Sequence, residues 1–163
     1  SDEATKNLIS YFEKQEDPTV IVMFGDHEPG LSDSFYESIM GKSLDTLTSE
    51  ENMELYKVPF FIWTNYDSQE QYIEKTSLNY LQSLMLDVAG MKKTGYNKYL
   101  LDMSKEIPAI NVSGYFTKEG TYYDIEDETS PYYNKLQEYN ILEYNHLFDK
   151  KRQNSFFELR GTK

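Results

Sequence analysis

The sequence predicts an α/β fold, and three observations carry that prediction. Thr19-Val20-Ile21-Val22-Met23-Phe24 and Val58-Pro59-Phe60-Phe61-Ile62-Trp63-Thr64 are apolar runs without polar alternation, which reads as strands buried on both faces. Apolar residues recur at helical spacing in 2–15 and in 77–89, beside the two runs in sequence. Helix, strand and then a polar loop is the alternation of an α/β sheet. The expectation is that 19–24 and 58–64 are neighbouring, largely buried strands of one sheet, with helices 2–15 and 77–89 packed on its faces.

Leu8, Ile9, Tyr11 and Phe12 form the apolar side of the first helix, which the turn Glu16-Asp17-Pro18 ends. Residues 28–34 are rich in Gly, Pro, Ser and Asp and read as loop. Ser34 to Met40 predicts a short helix stopped by Gly41, and Thr48-Ser49-Glu50-Glu51 is a capping signature for another ending near Tyr56. Pro59 falls near the start of the second strand, where a missing N–H donor is tolerated. Thr76-Ser77 can cap a helix with Leu78, Leu81, Met85 and Val88 on one face, ended by Gly90. A further helix is expected from Tyr96 to about Glu106, stopped by Pro108. Ala109 to Val112 reads as extended. Tyr115-Phe116-Thr117 and Thr121-Tyr122-Tyr123 flank Lys118-Glu119-Gly120 as a hairpin. Ser130-Pro131 then opens a final helix reaching about Lys150.

The first strand leaves through Gly25-Asp26-His27-Glu28-Pro29-Gly30. Open α/β sheets hold ligands outside the carboxyl ends of their strands, and Asp26 with His27 offers an anionic oxygen and a neutral nitrogen to a divalent metal. An N-cap carboxylate beside a loop histidine is the competing reading. As a site, the pair is expected to point into a common pocket. Glu28 can reach such a metal or act as an acid, although a solvated glutamate is the commoner case. His146 fits a surface or core-edge position. Trp63 can wall the site or pack in the core, and Tyr122-Tyr123 and Tyr132-Tyr133 can stack on sugars or simply pack. Asp124-Ile125-Glu126-Asp127-Glu128 lacks the alternating ligands and turn glycine of a calcium loop and reads as solvent-facing. Asn111-Val112-Ser113 matches a glycosylation acceptor, a pattern that is common by chance. No Gly-x-Ser-x-Gly elbow presents a serine.

The length of 163 residues suits one domain with its own core. A composition of 39% hydrophobic and 15% aromatic residues favours a folded chain. Twenty-eight acidic against 16 basic residues give a net charge of −12, which disfavours nucleic acid and anionic membrane as partners unless a local basic patch or a bound metal reverses the field. Lys92-Lys93 and Lys150-Lys151-Arg152 are short and scattered. The absence of cysteine excludes disulfides, cysteine-type zinc sites and a cysteine nucleophile. No apolar run of about 18 residues is present to span a membrane, and no internal repeat suggests a solenoid. The chain starts at Ser1-Asp2-Glu3 inside a helical pattern, without an initiating Met, which suggests a fragment of something longer.

Phe24-Gly25-Asp26-His27-Glu28-Pro29, the block Tyr56-Lys57-Val58-Pro59-Phe60-Phe61-Ile62-Trp63-Thr64-Asn65-Tyr66 and the segment Leu136 to Phe148 occur in an order that resembles one family. It is that of the lipoteichoic acid synthase-like proteins, sulfatase-like phosphoglycerol transferases of the alkaline phosphatase superfamily. The resemblance is to the C-terminal part of their catalytic domain and runs over most of residues 1–158, with Gly25-Asp26-His27 its sharpest motif. It implies part of an alkaline phosphatase/sulfatase-like sandwich: a mainly parallel sheet with flanking helices, then a small hairpin and a long final helix. Residues 1–163 would be a single domain cut from a larger one, with 1–107 the sheet part and 108–163 the hairpin and terminal helix.

The resemblance assigns Asp26 and His27 as ligands of a divalent metal, Mn2+ with Mg2+ possible, beside a threonine nucleophile. That nucleophile does not map here, since Thr5 lies in a helix and Thr19 opens a strand. The fragment alone is therefore expected to be inactive, with no catalytic residue of its own. The implied parent is an extracellular, membrane-anchored transferase of Gram-positive bacteria that acts on lipid-linked glycerol phosphate to build lipoteichoic acid. The missing N-terminal half of its catalytic domain would be this chain's partner. A sulfatase or phosphoethanolamine transferase of the same superfamily, and a non-catalytic structural module, are the alternatives.

Overall fold

The first helix, α1 (Asp2–Phe12), carries Asp2 and Glu3 in its first turn, where negative charge opposes the helix dipole. This computed structural model describes residues 2–159. After a turn, β1 (Val20–Phe24) runs out and the chain makes a long excursion. The excursion holds α2 (Asp33–Met40), a 3-10 turn at Leu44–Thr46, α3 (Ser49–Asn52) and a second 3-10 turn at Met53–Tyr56. Gly41 ends α2 in the left-handed region at φ 70°, with its N–H on the Glu37 carbonyl. The expected cap of α3 is present as a full capping box between Thr48 and Glu51.

β2 (Phe60–Thr64) then returns beside β1, in register from Val20 opposite Thr64 to Phe24 opposite Phe60. The α/β class and the pairing of the two apolar runs are as expected. Their direction is not: the pair is antiparallel, as is every strand pair among the described residues. The excursion between β1 and β2 begins and ends at the same end of the ribbon, so no crossover returns the chain for a parallel strand. Burial also differs from the expectation. β2 is half-buried throughout, while β1 is half-buried for three residues and exposed at Met23 and Phe24. The runs lack alternation because both faces of the ribbon are apolar, although neither is fully covered among the described residues. α1 approaches through Thr5, whose hydroxyl donates to Met23 Sδ at 3.5 Å, but it contains no buried residue.

The well-packed core lies further along the chain. α4 (Leu78–Val88) packs against α5 (Gly95–Glu106), placing Ser83 Oγ 3.1 Å from Asn97 Nδ2. A capping box between Thr94 and Asn97 starts α5. β3 (Ala109–Ile110), β4 (Gly114–Phe116) and β5 (Tyr122–Asp124) form a three-stranded antiparallel sheet that includes the expected hairpin. Its turn ends at Gly120, φ 83°, whose N–H bonds the Thr117 carbonyl. α6 (Tyr133–Leu147) closes the cluster of Tyr80, Leu100, Met103, Ile107, Tyr115, Leu136 and Tyr139. A short α7 (Asn154–Phe157), which the sequence did not announce, lays Phe156 against Gly95; a β-carbon at Gly95 would lie 2.6 Å from that ring.

Two serines expected as helix caps do something else. The Ser77 hydroxyl accepts from Ile110 N–H at 2.6 Å and reaches the Ile110 carbonyl at 2.8 Å, fastening the start of α4 to β3. Ser130 is buried against the Tyr115 hydroxyl and accepts from Tyr132 N–H, so α6 begins at Tyr133. No described helix is long and apolar enough to cross a membrane.

This distribution of packing predicts a graded response to truncation. Ile107→Ala, at a side chain with no exposure, should cost about 2–5 kcal/mol in urea unfolding. Met23→Ala on the open ribbon should cost less than about 1 kcal/mol. Equal costs would contradict the assignment of the core to α4, α5, β4 and α6.

Candidate metal-binding loop

Gly25 extends the ribbon by one residue, donating its N–H to the Pro59 carbonyl at 3.0 Å. A β-carbon here would lie 2.8 Å from Val58 Cβ, so close strand approach, not backbone conformation, demands glycine. Pairing stops there, and Asp26 and His27 project where β1 ends. The far end of the ribbon is held by Asn65. Its side-chain oxygen accepts from Thr19 N–H at 2.8 Å, and its amide nitrogen lies 2.9–3.2 Å from the carbonyls of Phe12, Gln15 and Asp17. One side chain thus joins the end of α1, the following turn and β1. Nothing in residue type or spacing marks Asn65 for that role.

Within the loop, Asp26 Oδ1 accepts from the His27 backbone N–H at 3.0 Å, which fixes the carboxylate beside the ring. His27 Nδ1 lies 2.7 Å from the Glu28 carbonyl, an acceptor only, so Nδ1 carries the proton. That leaves the Nε2 lone pair free, 3.6 Å from Asp26 Oδ2. The Tyr36 hydroxyl donates to the Pro29 carbonyl and ties the loop to α2. Met23, Phe24, Leu31 and Phe35, next to the loop in sequence, are exposed apolar side chains.

Asp26 and His27 are 84% and 76% exposed, so the expected common pocket is an open surface among the described residues. Clefts of about 340 and 560 Å³ lie elsewhere, the first between 66–71 and 87–90 and the second beside 124–127. The donor chemistry suits a divalent ion. The Nε2 lone pair and the Oδ2 anion, 3.6 Å apart, are the two donors that would face such an ion. Two protein donors do not complete a coordination shell, and no group of three or more acidic, histidine or cysteine side chains that could hold a metal occurs among the described residues. The Glu28 carbonyl, not its carboxylate, is tied to His27.

The other singled-out residues have structural occupations. His146 stacks on Phe157 at 4.6 Å and packs near Tyr96, the core-edge role expected of it. Trp63 faces Ile21, about 10 Å along the ribbon from the Phe24–Phe60 end, and so does not wall the loop. Tyr123 stacks on Tyr115, and Tyr122 meets Phe116 edge-on. Asn111 Oδ1 accepts the N–H groups of Ser113 and Gly114, so that sequon forms a turn. Asp127 accepts from the Thr129 hydroxyl and N–H, which lowers its pKa. Burial pushes the Tyr80 and Tyr139 phenols upward, so both remain neutral at physiological pH.

Residues 1–91, more than half of the chain, match the Sulfatase family. The chain belongs to the sulfatase family. Among solved structures, this sulfatase-family chain is similar in fold to Streptococcus pyogenes phosphoglycerol transferase GacH in complex with sn-glycerol-1-phosphate. The TM-score is 0.60 at 16% identity, covering 88% of this chain. The likeness spans 31% of the GacH chain. No curated protein sequence matches significantly.

The loop geometry makes His27 the more basic for two reasons: the Glu28 carbonyl holds its N–H, and the Asp26 carboxylate stabilises the cation. Its NMR titration midpoint should lie above the ordinary value of about 6.5 and fall partway in Asp26→Asn. The raised folded-state pKa gives stabilisation that is present below the unfolded pKa and lost as pH rises through the folded one. Coordination of a metal by His27 would have the opposite dependence, strengthening across that rise because the neutral imidazole would be the ligand. A midpoint at or below 6.5, or one unmoved by Asp26→Asn, would contradict the loop geometry.

Proposed function

We propose that this chain is the C-terminal part of an extracellular metal-dependent phosphoglycerol transferase. In this reading the parent is membrane-anchored and acts on lipid-linked glycerol phosphate. Asp26 and His27 supply two ligands of its metal, Mn2+ or Mg2+. The pairing of His27 Nε2 with Asp26 Oδ2 at the end of β1 is the observation that carries the reading. The remaining ligands and the nucleophile come from sequence outside residues 1–163. The 31% coverage of the GacH chain supports that division, and the glycerol phosphate bound to GacH supports the substrate class. The exposed apolar side chains next to the loop in sequence are suited to receive the complementary half of the domain.

The residues present define a limited share of the chemistry. A divalent ion held there would stabilise the negative charge that builds on the nonbridging oxygens and would help to activate the attacking hydroxyl. The Glu28 carbonyl keeps the proton on Nδ1 and so presents Nε2 outward. Asp26, held by the His27 N–H, supplies the neighbouring negative charge. Gly25 and Pro59 set where both side chains emerge. No hydroxyl among these residues is placed to attack phosphorus, so the chain contributes half a site.

The test is transfer from phosphatidylglycerol by a protein containing this chain and the preceding half of the domain. Asp26→Ala and His27→Ala should each reduce turnover by at least about 10²-fold while leaving the thermal unfolding midpoint nearly unchanged. The 163-residue chain with Mn2+ should form no product. Near-normal activity in both variants would contradict the ligand roles. Turnover by the chain alone that disappears in His27→Ala would place a nucleophile within it, and hydrolysis of an aryl sulfate in preference to a phosphodiester would replace the transferase reading with a sulfatase.

A further inference from the structure

The segment Asp26 to Pro29, which carries both candidate donors, is fastened at its start and open at its far end. Gly25 before it is held by Pro59 and lies against Val58, whereas a β-carbon at Gly30 after it would have no atom within 4 Å. Packing does not orient the segment, since Asp26 and His27 are largely exposed. Three of its hydrogen bonds are internal and turn with the loop: His27 N–H to Asp26, His27 Nδ1 to the Glu28 carbonyl, and Leu31 N–H to the Pro29 carbonyl. Among the described residues, one bond reaches 26–31 from outside, and it is the Tyr36 hydroxyl donating to the Pro29 carbonyl.

Tyr36 is half-buried in the first turn of α2, and that helix is itself secured. The Glu37 carboxylate accepts from the Ser43 hydroxyl at 2.8 Å and from Leu44 N–H at 3.2 Å. Lys42 pairs with Glu51 of α3 at 2.5 Å, and α3 lies against β5. The hydroxyl therefore connects the exposed loop to a fixed support.

Its acceptor stands one residue from the carbonyl that sets the His27 tautomer. The Glu28 carbonyl is coplanar with the Pro29 nitrogen, and the proline ring locks φ at about −65°. A single soft dihedral, ψ of Pro29, then separates the two carbonyls. Fixing one restricts where the other points, and the Glu28 carbonyl keeps the proton on His27 Nδ1, 2.7 Å away. We infer that Tyr36 is a positioning residue for the metal-binding loop: through Pro29, its hydroxyl holds the Glu28 carbonyl against His27 Nδ1–H and so keeps Nε2 available as the ligand. Tyr36 touches neither metal nor substrate in this role. The inference rests on the ligand reading of Asp26 and His27.

Heteronuclear NMR of the His27 ring in the 163-residue chain tests it, at a pH above the ring's titration, where nitrogen and carbon shifts report the neutral tautomers. The ring is identified by its loss in His27→Ala. In the unaltered chain it should be predominantly Nδ1–H. Tyr36→Phe removes only the hydroxyl and should populate both tautomers. That variant should also raise the Mn2+ concentration needed to broaden the ring at least about threefold, less than the roughly 10–100-fold loss typical when a ligand's direct partner is removed. Pro29→Ala keeps the tether but frees φ, and should mix the tautomers as well. Amide shifts of α4 and α5 should be unchanged in both variants, which separates the effect from loss of the fold. Mixed tautomers in the unaltered chain, or a ring that stays Nδ1–H in Tyr36→Phe, would overturn the proposal and leave the ligand reading standing. A tautomer shift in Tyr36→Phe with a ring that Mn2+ never broadens would instead overturn the ligand reading and reduce Tyr36 to a clamp on the loop.

Discussion

The antiparallel pairing of Val20–Phe24 with Phe60–Thr64 is the constraint on which the candidate site depends. Backbone bonds fix the register, and both ends of the ribbon are secured by groups outside it. At one end Asn65 gathers carbonyls from the close of α1 and the turn before β1. At the other, Gly25 donates to Pro59 while its missing β-carbon lets Val58 close in. A larger residue at 25 would have to move the Val58 side chain or part the strands, displacing the point from which Asp26 and His27 emerge. The position of the two donors is thus a consequence of one glycine and one strand register.

The packed core and the candidate metal-binding loop are separated along the chain. The cluster around Met103, Ile107 and Tyr115 is closed to solvent, while β1 and β2 are only half-covered and α1 contains no buried residue. Side-chain hydrogen bonds link elements of the C-terminal part: Ser77 joins α4 to β3, and Asn97 joins α5 to α4. The loop at 25–32 is held by backbone bonds, by the Tyr36 hydroxyl and by its own short contacts. Substitution of Asp26 or His27 therefore removes charge and ligand capacity from an exposed position without opening the core, which makes their functional and structural effects separable.

Much of this was legible in the sequence where local chemistry decides the outcome. Thr48 with Glu51 three residues on and Gly41 after Met40 act locally and appear as read. The Gly120 turn does too, because its conformation is set within a few residues. Strand direction was not legible, since an apolar run looks the same in either direction and the return path of 25–59 is a long-range property. Burial of the same runs was overestimated because absence of alternation reports apolar faces, not what covers them. Ser77 and Ser130 have the composition of caps, but tertiary partners, Ile110 and Tyr115, claim their hydroxyls. Asp26 and His27 were visible as a motif; the tautomer that exposes Nε2 depends on the Glu28 carbonyl and could be seen only in the folded loop.

The most direct test of the metal reading is Mn2+ line broadening in the NMR spectrum of the isotopically labelled chain, since a net charge of −12 offers many weak acidic alternatives. At sub-stoichiometric Mn2+, resonances of Gly25, Asp26 and the His27 ring should broaden first, and His27→Ala should abolish that selectivity. Broadening centred on the acidic segment 124–128, or spread over the acidic surface and unchanged in His27→Ala, would contradict the assignment of Asp26 and His27 as a metal-ligand pair.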